Sequence, residues 1–385
     1  LCGLLAAGVV GVSGSALAGD TITTSKHLDG DVFIKTDSNW AAVVQSTGSD
    51  TIKITGDSFK LGLETSASCA DAIDCYDTAG KIILGDTNTN DISISCKATD
   101  QAFGIWALKK SYVEVNAKQL SIEAYGNDAR AIQVQNNSVP NDKKTDFATV
   151  ILNANTVIKS DGIGIAAMSE GRFTANGDIE ITAPKVIVTR GDSLININTD
   201  GKHTTKLFGD INFSYDEATS GTKVDADLNV NLTGADSLWN GNAVVEWGLK
   251  NGSTSSYEDL KNDGKLKVET FNLNIADDAQ WNPTTIKSQN NETNGVENIA
   301  INNLALNNGI INLDSSNLAG DDAVNIENLQ GNGGTINTDS VSNKLSIENK
   351  AADTSLTVNG TKEVTDAIAS GNADLQKLAD VVKSN

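Results

Sequence analysis

The chain has 385 residues, which is long for one globular core and ordinary for a repeat protein that grows by adding turns. Its formal net charge of −21 argues against nucleic acid or an anionic membrane surface as a direct partner. Hydrophobic residues make up 39% and aromatic residues 5%, which suits a narrow core of Val, Ile and Leu but not a bulky one.

The first segment, residues 1–18, is uncharged and rich in Leu, Ala, Gly and Val. It ends in Ala16-Leu17-Ala18, the pattern expected before a signal-peptidase site, so we predict a signal peptide and export. The segment is too short and too rich in glycine for a membrane span. Because an initial Met and a basic stretch are missing, we expect this leader to be truncated at its N-terminus.

Residues 19–205 are predicted to form the first part of a β-solenoid, because one sequence motif with alternating apolar residues recurs. We call this motif the phrase, and its three copies are residues 52–61, 113–122 and 179–188, which start at Ile52, Val113 and Ile179. The offsets between them are close to three turns of a coil with roughly 20 residues per turn. Each copy contains a strand, a small residue, a tight corner and a second strand. Alternation sends one row of side chains inward, and only stacked copies bury that row.

The cysteines in this part predict a small closed loop. Cys69 and Cys75 are separated by five residues, and in an oxidising compartment they would form a disulfide. Cys96 would then be left over, and Cys2 would be lost with the leader. Zinc binding is the alternative, but the chain has only two histidines, both far from these cysteines in the sequence.

An Arg190-Gly191-Asp192 tripeptide directly follows the third copy of the phrase, at a predicted corner. Such a tripeptide engages integrins when a loop presents it, so we treat it as a candidate adhesive site. The alternative is an ordinary turn, in which Gly-Asp bends the chain and the Arg side chain is solvated.

Residues 206–325 are predicted to form the second part of the solenoid. Two strands there are each followed by an Ala-Asp corner and a Trp-Asn pair, at Trp239 and Trp281. Repetition at one place in two turns favours structural packing of these rings over a sugar-stacking role. The polar segments 136–145 and 250–264 lack strand periodicity, so we predict loops that present variable surface.

The end of the chain changes character. Residues 326–360 contain short strands separated by glycine-rich turns and are predicted to form the terminal turns. Residues 361–385 carry an apolar stripe with helical spacing, which predicts a helical tail or linker.

Catalysis has little support in the sequence. A serine-protease triad needs a histidine beside a nucleophile, and neither His27 nor His203 lies in such a motif. Acidic corners could offer oxygen ligands to calcium, but no known calcium loop is present, so solvated corners are favoured. These acidic pairs are Asp29 with Asp31 and Asp321 with Asp322. We therefore predict no enzyme, no cofactor and no metal site.

Taken together, these motifs resemble the passenger domains of bacterial autotransporters (type V secretion), which fold as right-handed parallel β-helices. The resemblance rests on the leader ending at Ala18, on the two Trp-Asn repeats and on the alternating stretch 304–313. It covers residues 225–360 well, whereas the earlier part is similar only in its general alternation of strands and corners. The stretch 328–358 is similar to the last turns of pertactin-like passengers, where that family places its autochaperone region.

The resemblance implies an adhesin-like passenger, secreted or displayed at the cell surface or outer membrane after passing through the periplasm. Its partners would be an unknown host-cell or extracellular-matrix receptor and an outer-membrane β-barrel translocator from the same polypeptide, which this chain does not include. The alternative function is a β-helical polysaccharide lyase or hydrolase. Converging carboxylates with a basic residue in a groove would favour the enzyme, and a smooth acidic surface the adhesin. A two-partner secreted β-helix is a third possibility, but no dedicated secretion domain is recognisable.

Overall fold

The computed structural model describes residues 20–76, 79–136, 147–217, 226–266, 268, 270–285, 293–313, 318, 324–339 and 345–370, with the backbone of short strands at 17–18 and 382–384. Most of these residues are in strands, with only two short helices among them, and the strands pair almost throughout in parallel. The chain is therefore an all-β parallel solenoid, which confirms the predicted fold class. It divides into two compact units, unit 1 (Leu1–Val188 with Asp192–Ile195) and unit 2 (Thr189–Gly191 with Asn196–Asn385).

Strands β1 to β17 run from the start of unit 1 to its boundary with unit 2. They are β1 Leu17–Ala18, β2 Lys26–His27, β3 Val32–Thr36, β4 Ala41–Ser46, β5 Thr51–Thr55, β6 Ser58–Thr65, β7 Cys69–Cys75, β8 Lys81–Gly85, β9 Asp91–Lys97, β10 Gln101–Leu108, β11 Tyr112–Tyr125, β12 Arg130–Gln135, β13 Thr149–Ser160, β14 Ile163–Met168, β15 Arg172–Ala175, β16 Ile179–Arg190 and β17 Ser193–Ile197.

Each turn of unit 1 adds strands to three columns. Column A contains β3, β6, β9 and the second halves of β11 and β13. Column B contains β4, β7, β10, β12 and β14. Column C contains β2, β5, β8, the first halves of β11 and β13, and β15. Alternate residues of these strands point inward, as in the row Ile54, Leu84 and Val115, and all three side chains are fully buried.

The pairing corrects the predicted length of a turn. Ile52 pairs with Ile82, and Ile82 pairs with Val113, so two turns rather than three separate the first two copies of the phrase. Each turn is therefore longer than the sequence pattern indicated, because three strands and three corners are needed to close it.

The third copy of the phrase is also out of phase. Ile179 pairs with Thr156, and Thr156 pairs with Leu120, which lies in the second strand of the earlier copy rather than the first. The alignment of the third copy with the second was therefore wrong by one strand. Every strand shares the same apolar alternation, so this pattern alone does not identify the column to which a strand belongs.

Strands β18 to β31 and two short helices belong to unit 2. They are β18 Thr205–Asp216, β19 Ala226–Thr233, β20 Leu238–Asn240, β21 Ala243–Gly248, α1 Tyr257–Asn262, β22 Thr270–Ala276, β23 Gln280–Asn282, β24 Asn294–Asn298, β25 Ala300–Asn307, β26 Ile310–Leu313, β27 Val324–Gln330, β28 Asn332–Thr338, β29 Leu345–Lys350, β30 Ser355–Gly360, α2 Lys362–Ala369 and β31 Val382–Ser384.

Unit 2 begins with three columns. Column D contains β19, β22, β25, β27 and β29, and column E contains the start of β18 followed by β20, β23, β26, β28, β30 and β31. Column F contains the end of β18, then β21, then β24, which pairs with β21 in the antiparallel direction. Among the described residues, only columns D and E continue beyond β24.

The predicted loop 250–264 and the predicted helical tail 361–385 each differ in part from the structure. The predicted loop 250–264 contains helix α1, which begins after Ser256 because that side chain and Asp259 form a capping box. The predicted helical tail is confirmed over Lys362–Ala369, whereas Val382–Ser384 adds a strand to column E.

Asparagine side chains stack in two ladders along unit 2. In each ladder the side-chain Nδ2 of one Asn donates to Oδ1 of the Asn in the preceding turn, at 2.6–3.3 Å. Identical amides at the spacing of paired strands are the arrangement that also stabilises cross-β stacks. Ladder 1 contains Asn196, Asn229, Asn272, Asn303, Asn328 and Asn349, and ladder 2 contains Asn240, Asn282, Asn312, Asn337 and Asn359.

The repeated tryptophans pack inside column E. Trp239 pairs with Trp281, and their rings stack at 4.8 Å with 5° between the planes. Both are fully buried. Their Nε1 atoms donate to the carbonyls of Gly209 and Gly241, each at 3.0 Å. The prediction that these rings serve packing is confirmed.

We expect the ladders to contribute measurably to stability. Asn282→Ala removes one bond to Asn240 at 2.7 Å and one from Asn312 at 2.6 Å. Because each net hydrogen bond contributes roughly 0.5–1.5 kcal/mol, the loss in unfolding free energy is about 1–3 kcal/mol. The control Asn359→Ala removes one ladder bond among the described residues, the one to Asn337, so about half that loss is expected. Urea unfolding followed by circular dichroism measures both, and equal losses would contradict an additive ladder.

Candidate functional site

The predicted adhesive tripeptide lies where β16 ends. The Arg190 side chain is only 16% exposed, and its Nη1 lies 4.0 Å from Oδ2 of Asp216. Gly191 and Asp192 have left-handed backbone conformations, with φ of 55° and 45°. Asp192 is exposed, but an integrin ligand must also present its guanidinium, and that of Arg190 is largely covered. The adhesive role stays a prediction that this geometry does not favour.

The predicted disulfide between Cys69 and Cys75 is wrong for this fold. Both residues lie in β7, one at each end of a single extended strand, and both are free thiols. Six strand residues span about 20 Å, whereas bridged cysteines have Cα atoms about 4.4–6.8 Å apart. The five residues between them form part of a strand of column B and not the predicted loop.

The acidic corner at Asp29 and Asp31 does not form a cation site with other described residues. Asp31 accepts a hydrogen bond from the backbone of Lys60 at 3.0 Å, and the Asp29 side chain is almost fully exposed. Asp321, Asp322 and nearly all of the predicted loop 136–145 lie outside the described residues. Within the part of the chain that the structure describes, no group of three or more His, Cys, Asp or Glu side chains could hold a metal ion.

The most distinctive cluster is a stack of three aromatic rings on column B of unit 1. The Trp40 ring lies 5.3 Å from that of Trp106 and 6.5 Å from that of Phe103, and the last two lie 5.0 Å apart. All three pairs are stacked. Tyr76 meets Trp106 edge-on at 6.4 Å and is 45% exposed. We call Trp40, Phe103 and Trp106 the ring stack.

Trp40 reaches these rings by crossing a whole strand. It precedes β4, whereas Phe103 and Trp106 lie in β10, and β7 pairs with β4 on one side and with β10 on the other. The Trp40 indole therefore spans β7. Its backbone has φ of 58°, a left-handed conformation that is uncommon for a bulky side chain. The surrounding contacts must compensate for that strain.

Beneath the ring stack lies a pair of carboxyl groups from β7, Asp71 and Asp74, which we call the carboxyl pair. Asp71 is in register with Phe103, and Asp74 with Trp106. The two residues are only 1% and 5% exposed. Gln45 donates to Oδ2 of Asp74 at 2.8 Å. Among the described residues, neither Oδ1 atom of the pair accepts a hydrogen bond, and Trp106 Nε1 has no acceptor.

Burial changes the protonation of this pair. It raises the pKa of Asp74 to about 6, although the hydrogen bond from Gln45 favours the ionised form. It also raises the pKa of Asp71 well above its ordinary value, and the neighbouring Asp74 carboxyl adds to that rise. Two close carboxyls without a cation hold protons more tightly than isolated ones.

A polar network borders the ring stack on β12. The Arg130 guanidinium lies 5.6 Å from the centre of the Phe103 ring and binds both oxygens of Asp128, at 2.7 and 3.3 Å. It also donates to Oε1 of Gln133, whose Nε2 donates to Gln135 at 2.9 Å. Planar amide, carboxylate and guanidinium groups thus surround the rings. We call the ring stack, Tyr76, the carboxyl pair and this network the aromatic face.

A second feature of unit 1 is a shallow groove of about 310 Å³ on column A. Its acids already have partners, since Ser58 donates to Asp91 at 3.3 Å and Asp31 accepts from Lys60. Serine and glutamine side chains make up most of its other polar lining. The groove has no ring stack and no buried carboxyl, so the aromatic face is the stronger candidate.

No motif in the sequence points directly to the aromatic face. The signal that could have found it is the pair of aspartates in β7, because charged residues within an apolar strand are rarely buried without a reason.

The chain matches no family model, no curated protein and no solved structure. Within the described part of the chain, no helix has the length and apolar character needed to cross a membrane.

We expect the carboxyl pair to make stability depend on pH. For an acid whose folded pKa is raised, stability is complete below the unfolded value near 3.8 and is lost as pH rises through about 6. This shift corresponds to about 3 kcal/mol for Asp74. Asp74→Asn removes the buried charge, so its melting temperature should fall less between about pH 4.5 and 7.5 than that of the native chain. The exposed control Asp37→Asn should behave like the native chain, and an unchanged profile in Asp74→Asn would contradict the assignment.

We also expect the three described thiols to differ in reactivity. Burial raises the pKa of Cys75 to about 12 and also raises that of Cys96, so both should resist a thiol reagent until the chain unfolds. Cys69 is only half-buried and should react in the native chain, in a Cys2→Ser background. Mass spectrometry of the labelled, unreduced protein measures this. A peptide cross-linked through Cys69 and Cys75 would contradict the strand geometry.

Proposed function

We propose that this chain is an adhesin-like contact protein whose aromatic face binds an uncharged glycan. The observation that carries this proposal is the ring stack with its rim of planar polar side chains on a strand face of unit 1. Aromatic rings stack against the C–H faces of sugars, and amide, carboxylate and guanidinium groups hydrogen-bond their hydroxyls. A binding site of this kind combines an apolar surface with a few positioned polar groups.

The charge of the chain narrows the class of glycan. A formal net charge of −21 repels uronate-rich and sulfated polysaccharides over long range. On the aromatic face, Arg130 is bound to Asp128 and is therefore not available as a cation for an anionic sugar. A neutral glycan stacks on the exposed Tyr76 and on Trp40 without that penalty.

Burial of the carboxyl pair favours binding over cleavage. A general acid must come within hydrogen-bonding reach of the bond that it protonates, and the ring stack covers both Asp71 and Asp74. The alternative function, a β-helical polysaccharide lyase or hydrolase, is favoured by the presence of two carboxyls and Arg130 on the same aromatic face. It requires that the covering rings move aside.

The wider proposal is a passenger of an autotransporter, exported through the periplasm and displayed at the cell surface or outer membrane. The parallel solenoid fold supports it, because that fold offers long strand faces for contact with few specialised loops. The receptor would then be a host-cell or extracellular-matrix molecule that carries the glycan, and an outer-membrane β-barrel would be the translocator.

We expect loss of an exposed ring to weaken glycan binding. The native chain should bind a neutral member of a glycan array. Tyr76→Ala should raise Kd for it about 3–10-fold, the amount that one aromatic contact contributes. The matched control Tyr125→Ala removes an exposed ring 36% accessible on β11, outside the aromatic face, and should leave Kd unchanged.

The same assay separates the two functions. Failure of every neutral glycan to bind, or equal effects of the two tyrosine variants, would overturn the binding proposal. Shortened glycan products after incubation with the native chain would favour the enzyme instead.

A further inference from the structure

The carboxyl pair lies beneath the ring stack and makes no contact that glycan binding would use. We infer that Trp40 is a lid whose position depends on pH, closed while the pair retains a proton and open once both carboxyls are ionised. This inference concerns the regulation of the aromatic face and takes its functional meaning from the glycan proposal.

The geometry identifies Trp40 as the movable part. Its indole spans β7, while Phe103 and Trp106 belong to a paired strand of column B. The backbone at the base of the indole is fixed, because Trp40 N donates to the carbonyl of Cys69 at 2.9 Å and Cys69 N donates to Oδ1 of Asn39 at 3.1 Å. Opening is therefore a rotation of the indole about its side-chain bonds.

Two opposing contributions set the position of the lid. Stacking on two rings favours closure, and such aromatic pairs contribute beyond the area that they bury. Ionisation opposes closure, because the closed lid keeps water from the Oδ1 atoms of Asp71 and Asp74, which lack donors among the described residues. An open lid admits water to both atoms.

No cation compensates the carboxyl pair among the described neighbours. The neighbouring side chains of β4 and β10, Gln45, Gln101 and the two rings, are uncharged. Arg130 lies beyond Phe103 and is bound to Asp128, and the ammonium of Lys109 lies over the Tyr76 ring at 4.7 Å. The remaining titratable groups nearby are Asp100 and the thiols of Cys69, Cys75 and Cys96.

The nearby thiols do not compete for the transition. Burial raises the pKa of all three, so they stay neutral while the carboxyls titrate. The Asp100 carboxyl acts on Cys69, whose pKa it raises further after burial and Asp71. With the pKa of Asp74 near 6 and that of Asp71 also raised, the lid should open as pH rises above about 6.

The test needs no glycan. Acrylamide quenching of tryptophan fluorescence and near-ultraviolet circular dichroism are followed in the native chain from about pH 5 to 8, a range that brackets the expected titration. Quenching should rise and the ring-stack signal should fall, with a midpoint at or above about 6. Trp40→Phe should keep only the smaller part of the quenching change that comes from Trp106, because Trp239, Trp247 and Trp281 lie outside the ring stack.

Replacing each carboxyl by a neutral amide shows which group controls the lid. Asp74→Asn and the double variant with Asp71→Asn should stay closed across the range, whereas Asp100→Asn should keep the transition. If the double variant fails to fold by far-ultraviolet circular dichroism, Asp74→Asn alone decides. A flat native profile, or a native-like transition in Asp74→Asn, would overturn the lid.

Two further outcomes are informative. Closure of the native lid at pH 8 by added Ca²⁺ or Mg²⁺ would overturn proton control and identify the pair as a cation site. A lid that opens with pH in a chain that binds no neutral glycan supports this inference and contradicts the proposed function.

Discussion

Parallel hydrogen bonding between equivalent strands of successive turns determines most of the structure within each unit. Because strands pair in register, each side chain contacts the residue at the equivalent position one turn later. Similar side chains at equivalent positions therefore stack in rows along a column. Aliphatic rows such as Ile54, Leu84 and Val115 fill the interior for this reason. The same register stacks Trp239 on Trp281 and builds the asparagine ladders on the strands of unit 2. It also places Phe103 and Trp106 beside the two aspartates of β7.

The fold class could be predicted from the sequence because alternation is a local property, visible in a few residues. The length of a turn could not, since corners and insertions differ from turn to turn. Successive partners in one row of column C are unequally spaced along the chain, at Ile52, Ile82, Val113 and Val150. No single period exists to be found, and strands from different columns look alike. Asparagine is typical of turns, yet many asparagines of this chain lie within strands, between apolar neighbours, as in the stretch 228–230.

The candidate site was harder to foresee than the fold. The aspartates of β7 lie between two cysteines, and that spacing suggested a closed loop rather than a strand. Their burial depends on Trp40, which lies one turn before Asp71 in the chain. It depends equally on rings from β10, so no local pattern carries the information. The left-handed backbone of Trp40 is likewise set by contacts with β7 and β10 rather than by propensity.

From the second member onward, each asparagine of the two ladders donates its amide hydrogen to the asparagine of the earlier turn, so the small dipoles of these side chains point in one direction and add. The strands of unit 2 therefore carry an electrical polarity from the first to the last asparagine of each ladder. Hydrogen bonds arranged in such chains strengthen one another. Two copies brought together by like ends would set amide hydrogen against amide hydrogen or oxygen against oxygen, whereas a head-to-tail approach would continue the chain of amides. Asymmetry of this kind gives the stack a built-in direction of growth.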